Sequence, residues 1–155
     1  MKKSAKQTIG WREWVALPEL GIPAIKVKVD TGARSSAIHA FKIESFEREG
    51  QLRVRFAIHP IQRRKDVIIY CEADLIDQRD VTSSSGQKER RYVIRTKLQL
   101  GERTWPIEIT LTNRDNMNFR MLLGRTAIRN RCLVHPGTSY QTGKNLADVY
   151  PKRKK

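Results

Sequence analysis

The sequence predicts an all-β fold, a single closed β domain with one short helix. Three observations carry this. Apolar and polar residues alternate with a period of two in segment after segment. Turn signals recur about every 8–12 residues. Only one stretch, Thr126 to Arg131, reads as a helix, of one turn or two. The chain has 155 residues, 39% of them apolar, which suffices for one domain with a moderate core.

Residues 1–7 read as a basic, flexible tail. Thr8 to Leu17 is aromatic and β-prone, and Pro18 with Gly21-Ile22-Pro23 turns the chain. Ile25, Val27 and Val29 alternate along a strand that ends in Asp30-Thr31-Gly32. Ser35 to Phe46 reads as extended, with Ala37, His39, Phe41 and Ile43 on one parity. After a turn at Glu49-Gly50, Gln51 to His59 alternates Leu52, Val54, Phe56 and Ile58 against Arg53 and Arg55. Pro60 to Asp66 is a basic loop, and Val67 to Ile76 a mostly apolar strand.

Two strand-like arms then flank the small polar tip Thr82-Ser83-Ser84-Ser85-Gly86-Gln87, a hairpin signature whose tip is light and able to move. Leu98 and Leu100 share a face of the return strand, which turns at Gly101-Glu102. Trp105, Ile107, Ile109 and Leu111 share one parity of the next strand. A loop from Asn113 to Asn118 follows, then the short apolar strand Phe119 to Leu123, which ends in Gly124-Arg125. Pro136 to Gly143 is turn-rich, and 144–155 reads as a second basic tail. The folded domain is therefore expected over 8–143.

The charge is lopsided, 31 basic against 16 acidic residues, a net +15. Lys2, Lys3, Lys6 and the closing Lys152-Arg153-Lys154-Lys155 are seven of the cations, and without them the net charge is still +8. Anionic partners follow: nucleic acid, an acidic lipid surface or an acidic polypeptide. No apolar run approaches the ~20 residues of a membrane-spanning helix, and no apolar segment follows the basic N-terminus as in a signal peptide. Cys71 and Cys132 sit alone among apolar neighbours and read as buried free thiols, so the expected compartment is the cytoplasm.

Asp30-Thr31-Gly32 is the first candidate for chemistry. A glycine after a strand-end carboxylate turns the backbone tightly and brings an amide N–H close to it. A carboxylate held by fixed donors under a partly dry cover suits acid–base work. The plain alternative is a simple turn.

A wider pattern decides between them. The strand ending in Asp30-Thr31-Gly32-Ala33, the strand Met121-Leu122-Leu123 ending in Gly124-Arg125, and a mobile hairpin between them resemble the retropepsin-like aspartic peptidases. From about Ile9 to Gly143 the chain resembles more closely a small bacterial family whose inherited label is ATP-dependent zinc protease. Gly10-Trp11-Arg12-Glu13-Trp14, Lys28-Val29-Asp30-Thr31-Gly32-Ala33-Arg34, Arg91-Tyr92-Val93-Ile94-Arg95, Thr110 to Met117 and Phe119 to Thr126 carry that likeness.

The resemblance implies a closed retropepsin-like β-barrel with a flap hairpin and one short C-terminal helix. One such chain supplies one catalytic aspartate. A homodimer would complete the site with Asp30 of a second copy. The pair would share a proton and activate a water, as an aspartic-type peptidase does. Thr31 would brace the dyad, and the Gly32 N–H would donate to the carboxylate. Ser83, Ser84, Ser85, Gly86 and Gln87 would form the flap over the peptide. Leu123 and Gly124 would pack behind the site, and Arg125 would tie the helix to the rest of the dimer.

One position departs from the pattern. Retropepsins carry an acidic residue straight after Asp-Thr-Gly-Ala, where this chain has Arg34. Beside Ala33 in the cleft, that arginine could grip a substrate carboxylate with its fork of donors, or it could close an internal ion pair. With the net charge, the first reading points to an acidic peptide or glutamylated protein as substrate. The family also resembles partners of ATP-grasp ligases that add glutamates to protein or peptide ends.

The zinc and ATP of the family label find little support in these residues. The sequence has no His-Glu-x-x-His, no Cys-x-x-Cys and no close pair of histidines, and His39, His59 and His135 are scattered. It has no Gly-x-x-x-x-Gly-Lys-Ser/Thr loop. No metal and no cofactor is therefore expected. Ser83-Ser84-Ser85 has no histidine nearby and reads as a solvated turn, and Trp11, Trp14 and Trp105 as core or interface residues. Arg63-Arg64-Lys65 and Glu89-Arg90-Arg91 read as solvated faces that could extend a basic cleft. The second reading of the whole chain is a catalytically silent basic barrel that binds nucleic acid or an acidic protein. Tyr92 and Tyr140 are its nearest stacking candidates. In either reading the basic tails would bind nucleic acid only weakly.

Overall fold

The computed structural model describes residues 6–82, 85–143 and 149–150. It is all-β. Strands β1 (Gln7–Ile9), β2 (Arg12–Leu17) and β3 (Ile22–Asp30) open the chain. They are followed by β4 (Ser36–His39), β5 (Phe41–Arg48), β6 (Gln51–Ile58), β7 (Ile69–Thr82), β8 (Lys88–Leu100) and β9 (Arg103–Thr112). Strand β10 (Met121–Gly124), helix α1 (Arg125–Ile128) and strand β11 (Cys132–Val134) complete it.

Nine strands form one sheet in the order β2-β3-β10-β4-β9-β8-β7-β6-β5. A further antiparallel pairing of Ala16 with Gln99 links β2 to β8. Strands β1 and β11 pair in parallel as a separate ribbon. The feature that builds the site is β10, which lies between two strands that follow one another in sequence. It runs parallel to β3 and antiparallel to β4.

The alternation read in the sequence is the burial pattern. Ile25, Val27 and Val29 face one core with Leu98, Leu100, Ile109, Met121 and Leu123. Each such fully buried aliphatic side chain contributes about 1.5–3 kcal/mol. Glu13 is one of several buried polar residues. It is fully buried, and its carboxylate accepts from the amides of Gly10 (2.7 Å), Gln141 (2.9 Å) and Thr142 (3.0 Å) and from the Thr142 hydroxyl (2.9 Å). Those charge-assisted bonds fasten the C-terminal segment across β2.

Several expectations are corrected. Ser35 to Phe46 is two strands rather than one, because the chain breaks at Ala40 and Lys42 takes a left-handed φ of 52°. The helix is Arg125–Ile128, one turn that starts earlier and stops sooner than expected. Strand β7 runs six residues beyond Ile76, to Thr82. Strand β11 has no signal in the sequence, since three residues are too few to show alternation and the partner lies at the other end of the chain. Gln7, assigned to the tail, opens β1. Tyr150, also assigned to a tail, is buried against Trp14 and Ala24, and its hydroxyl bonds the Ala24 backbone.

Both cysteines are free, but only Cys71 is buried, with its thiol pushed up to about 12 by that burial. Cys132 is half-buried. Among the described residues no helix is long and apolar enough to cross a membrane.

Candidate active site

Asp30 is the last residue of β3, where the alternation of that strand delivers it half-buried at the sheet's end. The chain turns at once. Gly32 N–H and Ala33 N–H both donate to Asp30 Oδ1, at 3.1 and 3.2 Å. Oδ2 has no partner among the described residues. One carboxylate oxygen is thus fixed by backbone. Thr31 and Gly32 are exposed.

Gly124 stands beside Asp30 in the β3–β10 ladder. A Cβ on Gly124 would lie 2.5 Å from the Ser35 carbonyl, so only glycine allows the two segments to approach this closely. Its N–H donates to Ser36 Oγ at 3.0 Å. Leu123, next to it, is fully buried. Arg125 Nη1 donates to the Gly32 carbonyl at 3.2 Å, so within one chain Arg125 ties the helix to the aspartate's own loop. Trp105 Nε1 donates to the Ala127 carbonyl at 2.8 Å and holds the helix against β9.

Asp30 borders a cavity of about 1000 Å³. Gly32, Ala33 and Arg34 line it, as does the distal arm of the hairpin from Arg79 to Thr82. Thr31 is not part of its wall. Ser83 and Ser84 lie outside the described residues. Ser85, Gly86 and Gln87 are exposed at the tip, and the cavity takes its walls from the arm below them. Four further arginines, Arg79, Arg91, Arg95 and Arg114, reach the cavity.

Arg79, Arg95 and Arg114 carried no site reading in the sequence. Arg91, read as part of a solvated face that could extend a basic cleft, lines the cavity and is buried, with Nε donating to Glu89 at 3.0 Å and Nη1 to Thr110 Oγ1 at 3.3 Å. Arg63, Arg64 and Lys65 do not join the site. Arg64 pairs with Asp66 and Lys65 with Asp115. Arg63 lines a smaller pocket with Trp11, Arg12 and Phe119.

The histidines are less scattered in space than in sequence. His39 and His59 stack at 6.3 Å between ring centroids, with Phe41 beside both. Burial, then the Arg120 charge, lowers the pKa of His39. Among the described residues no three or more His, Cys, Asp or Glu gather as metal ligands.

The aromatic rings near basic residues are already engaged. The Arg12 guanidinium lies over Trp11 at 4.6 Å and Tyr140 at 4.9 Å. Tyr92 packs against the core.

A strand-end Asp-Thr-Gly, a glycine strand threaded beside it and a hairpin arm over the cavity are the arrangement of the retropepsin-like proteins. This chain belongs to the RimB-like family, described as retropepsin-like aspartic endopeptidase RimB, which matches residues 8–145. It is 51% identical over 138 residues to a probable alpha-L-glutamate ligase of Shewanella pealeana, and 45% identical over 152 residues to one of Desulfotalea psychrophila. The match takes in 89% and 96% of this chain but only 30% and 33% of those relatives, so the chain spans about a third of their length. Among solved structures, a Legionella pneumophila protein of unknown function is similar with a TM-score of 0.75 and 26% identity. That likeness covers 89% of this chain and 99% of the other.

Proposed function

We propose that this protein is an aspartic-type peptidase that hydrolyses peptide bonds in glutamate-rich chains, with Asp30 as its catalytic carboxylate. One observation carries the reading. Asp30 has one oxygen pinned by two amides and the other unpartnered, beside a cavity lined by five arginines.

The chemistry needs a second carboxylate. The exposed Thr31 and Gly32 offer the face on which a second copy would bring its own Asp30. Two carboxylates that close share one proton. The ionised member takes a proton from a water, whose oxygen attacks the scissile carbonyl carbon. The other member gives its proton to the carbonyl oxygen, and a gem-diol results. Proton return to the amide nitrogen then breaks the C–N bond. The hairpin arm closes over the peptide and excludes water. The neighbour order β2-β3-β10-β4-β9-β8, returning to β2 through Ala16 and Gln99, supports a closed barrel as the rigid base.

The relatives' name supports the substrate class. Their unmatched two-thirds would hold the glutamate ligase, an ATP-grasp enzyme, and this domain would trim what such a ligase adds. Work beside a ligase in the cytoplasm follows from that reading. A nucleic-acid platform has less support, because Trp11 and Tyr140 already stack on cations of this chain.

The test compares cleavage of an oligo-α-glutamate peptide with a neutral peptide of equal length at low salt. Faster cutting of the acidic peptide is expected. Equal rates would sink the substrate class, and no cutting of either would sink the peptidase reading.

A further inference from the structure

The five cleft arginines are not equivalent. Arg79 Nη2 lies 2.9 Å from Glu108 Oε1, and Arg95 Nη2 lies 3.6 Å from Glu108 Oε2, so one carboxylate answers both. Arg79 also pairs with Asp77 at 2.9 Å. Arg91 pairs with Glu89 at 3.0 Å. Arg34 and Arg114 have no side-chain partner among the described residues, although both line the cavity beside Asp30. The internal ion pair open to Arg34 in the sequence is not formed among those residues.

Both unpartnered guanidinium groups stand on fixed backbone. The Arg34 carbonyl accepts from Thr126 N–H at 3.2 Å and from Thr126 Oγ1 at 2.8 Å, which locks it to the first turn of α1. The Arg114 N–H donates to Nδ1 of the buried His39 at 3.0 Å, and the Arg114 carbonyl accepts from Met117 N–H at 3.1 Å. A long cationic side chain with an anchored root and no carboxylate of its own is prepared for one from outside. Little reorganisation is needed to meet it.

We infer that Arg34 and Arg114 are the specificity-determining residues of the cleft, each gripping one acidic side chain of the bound peptide. The inference rests on the proposed function for placing the peptide along the cavity beside Asp30. The guanidinium fork binds a carboxylate through two parallel N–H···O bonds, which a lysine cannot reproduce. Arg79, Arg91 and Arg95, neutralised by the chain's own acids, shape the wall instead.

Binding tests this separately from cutting. A fluorescently labelled oligo-glutamate peptide and its Gln-for-Glu counterpart are titrated at low salt into the Asp30→Asn protein, which leaves the peptide intact. The same background carries Arg34→Gln, Arg114→Gln, Arg114→Lys and, as a control of equal charge loss, Arg129→Gln outside the cleft. Arg34→Gln and Arg114→Gln should each weaken the glutamate peptide roughly tenfold, and Arg129→Gln less than about twofold. Arg114→Lys should recover only part of the loss, and the Gln-for-Glu peptide should respond to none of them. Circular dichroism melting curves confirm that each variant is folded. Losses no larger than that of Arg129→Gln, equal losses for both peptides, or no binding of the glutamate peptide at all overturn the inference. Should these binding losses appear in a protein that cuts nothing, the peptidase reading fails and the arginine assignment stands.

Discussion

Gly124 lies directly beside Asp30 in the parallel ladder of β3 and β10. Its missing side chain is what lets β10 seat against the loop at Ser35, since a Cβ there would sit 2.5 Å from the Ser35 carbonyl carbon and oxygen. Gly124→Ala must push β10 or that loop aside. A cost of about 1–3 kcal/mol is expected, as for other overpacked sites. Urea denaturation measures the cost, and peptide cleavage should fall with it because the Asp30 loop shares the strained segment. Unchanged stability and cleavage would mean that the segments are not held this close.

His39 gives the fold a pH dependence. Its Nδ1 accepts the Arg114 N–H, so the ring must be neutral, and burial followed by the Arg120 charge keeps its pKa below 6.5. Asp115, at 3.6 Å from Nε2, pulls the other way. The unfolded chain takes up the proton near its ordinary pKa, while the folded chain resists it. Stability is therefore full above about pH 7 and falls as pH drops below that, levelling off once folded His39 is protonated. In His39→Asn the side-chain oxygen can accept the same amide without titrating. Melting temperatures from about pH 7.5 to pH 5 should fall more steeply for the wild type than for this variant. Parallel slopes would remove His39 from the account.

Glu108 sits in the cleft as the only carboxylate joining Arg79 and Arg95 among the described residues. Glu108→Gln removes that charge, frees Arg95 and leaves Arg79 with Asp77 alone. An acidic peptide should then bind roughly three- to tenfold more tightly at low salt, with the gain shrinking as salt is added. Calorimetric titration reads both effects. Unaltered affinity would place the peptide away from this wall.

What the sequence showed and what it hid have physical causes. The alternation of Ile25, Val27 and Val29 placed Asp30 at a strand end, and the polar tip between two β-prone arms marked the hairpin, because both signals are local. The threading of β10 between β3 and β4 is a long-range pairing of four residues, and nothing in Met121 to Gly124 names its neighbours. Arg114 looked like one polar residue in a polar loop. Only the fold shows that the buried His39 anchors it beside Asp30 and that no acid of the described chain answers it. Likewise the Glu89-Arg90-Arg91 run read as a solvated face or the edge of a basic cleft, and burial of Arg91 against Thr110 appears only once β8 and β9 pair.

The central claim is that Asp30 is the catalytic carboxylate. Its most direct test is cleavage of an oligo-α-glutamate peptide, followed by mass spectrometry, with wild-type protein and Asp30→Asn, each with and without a metal chelator. The substitution keeps the side chain's size and removes the charge that takes the water's proton. Cutting by the wild type that ignores the chelator, and none by Asp30→Asn, is the expected result. Cutting that survives Asp30→Asn, or that the chelator alone abolishes, would contradict it.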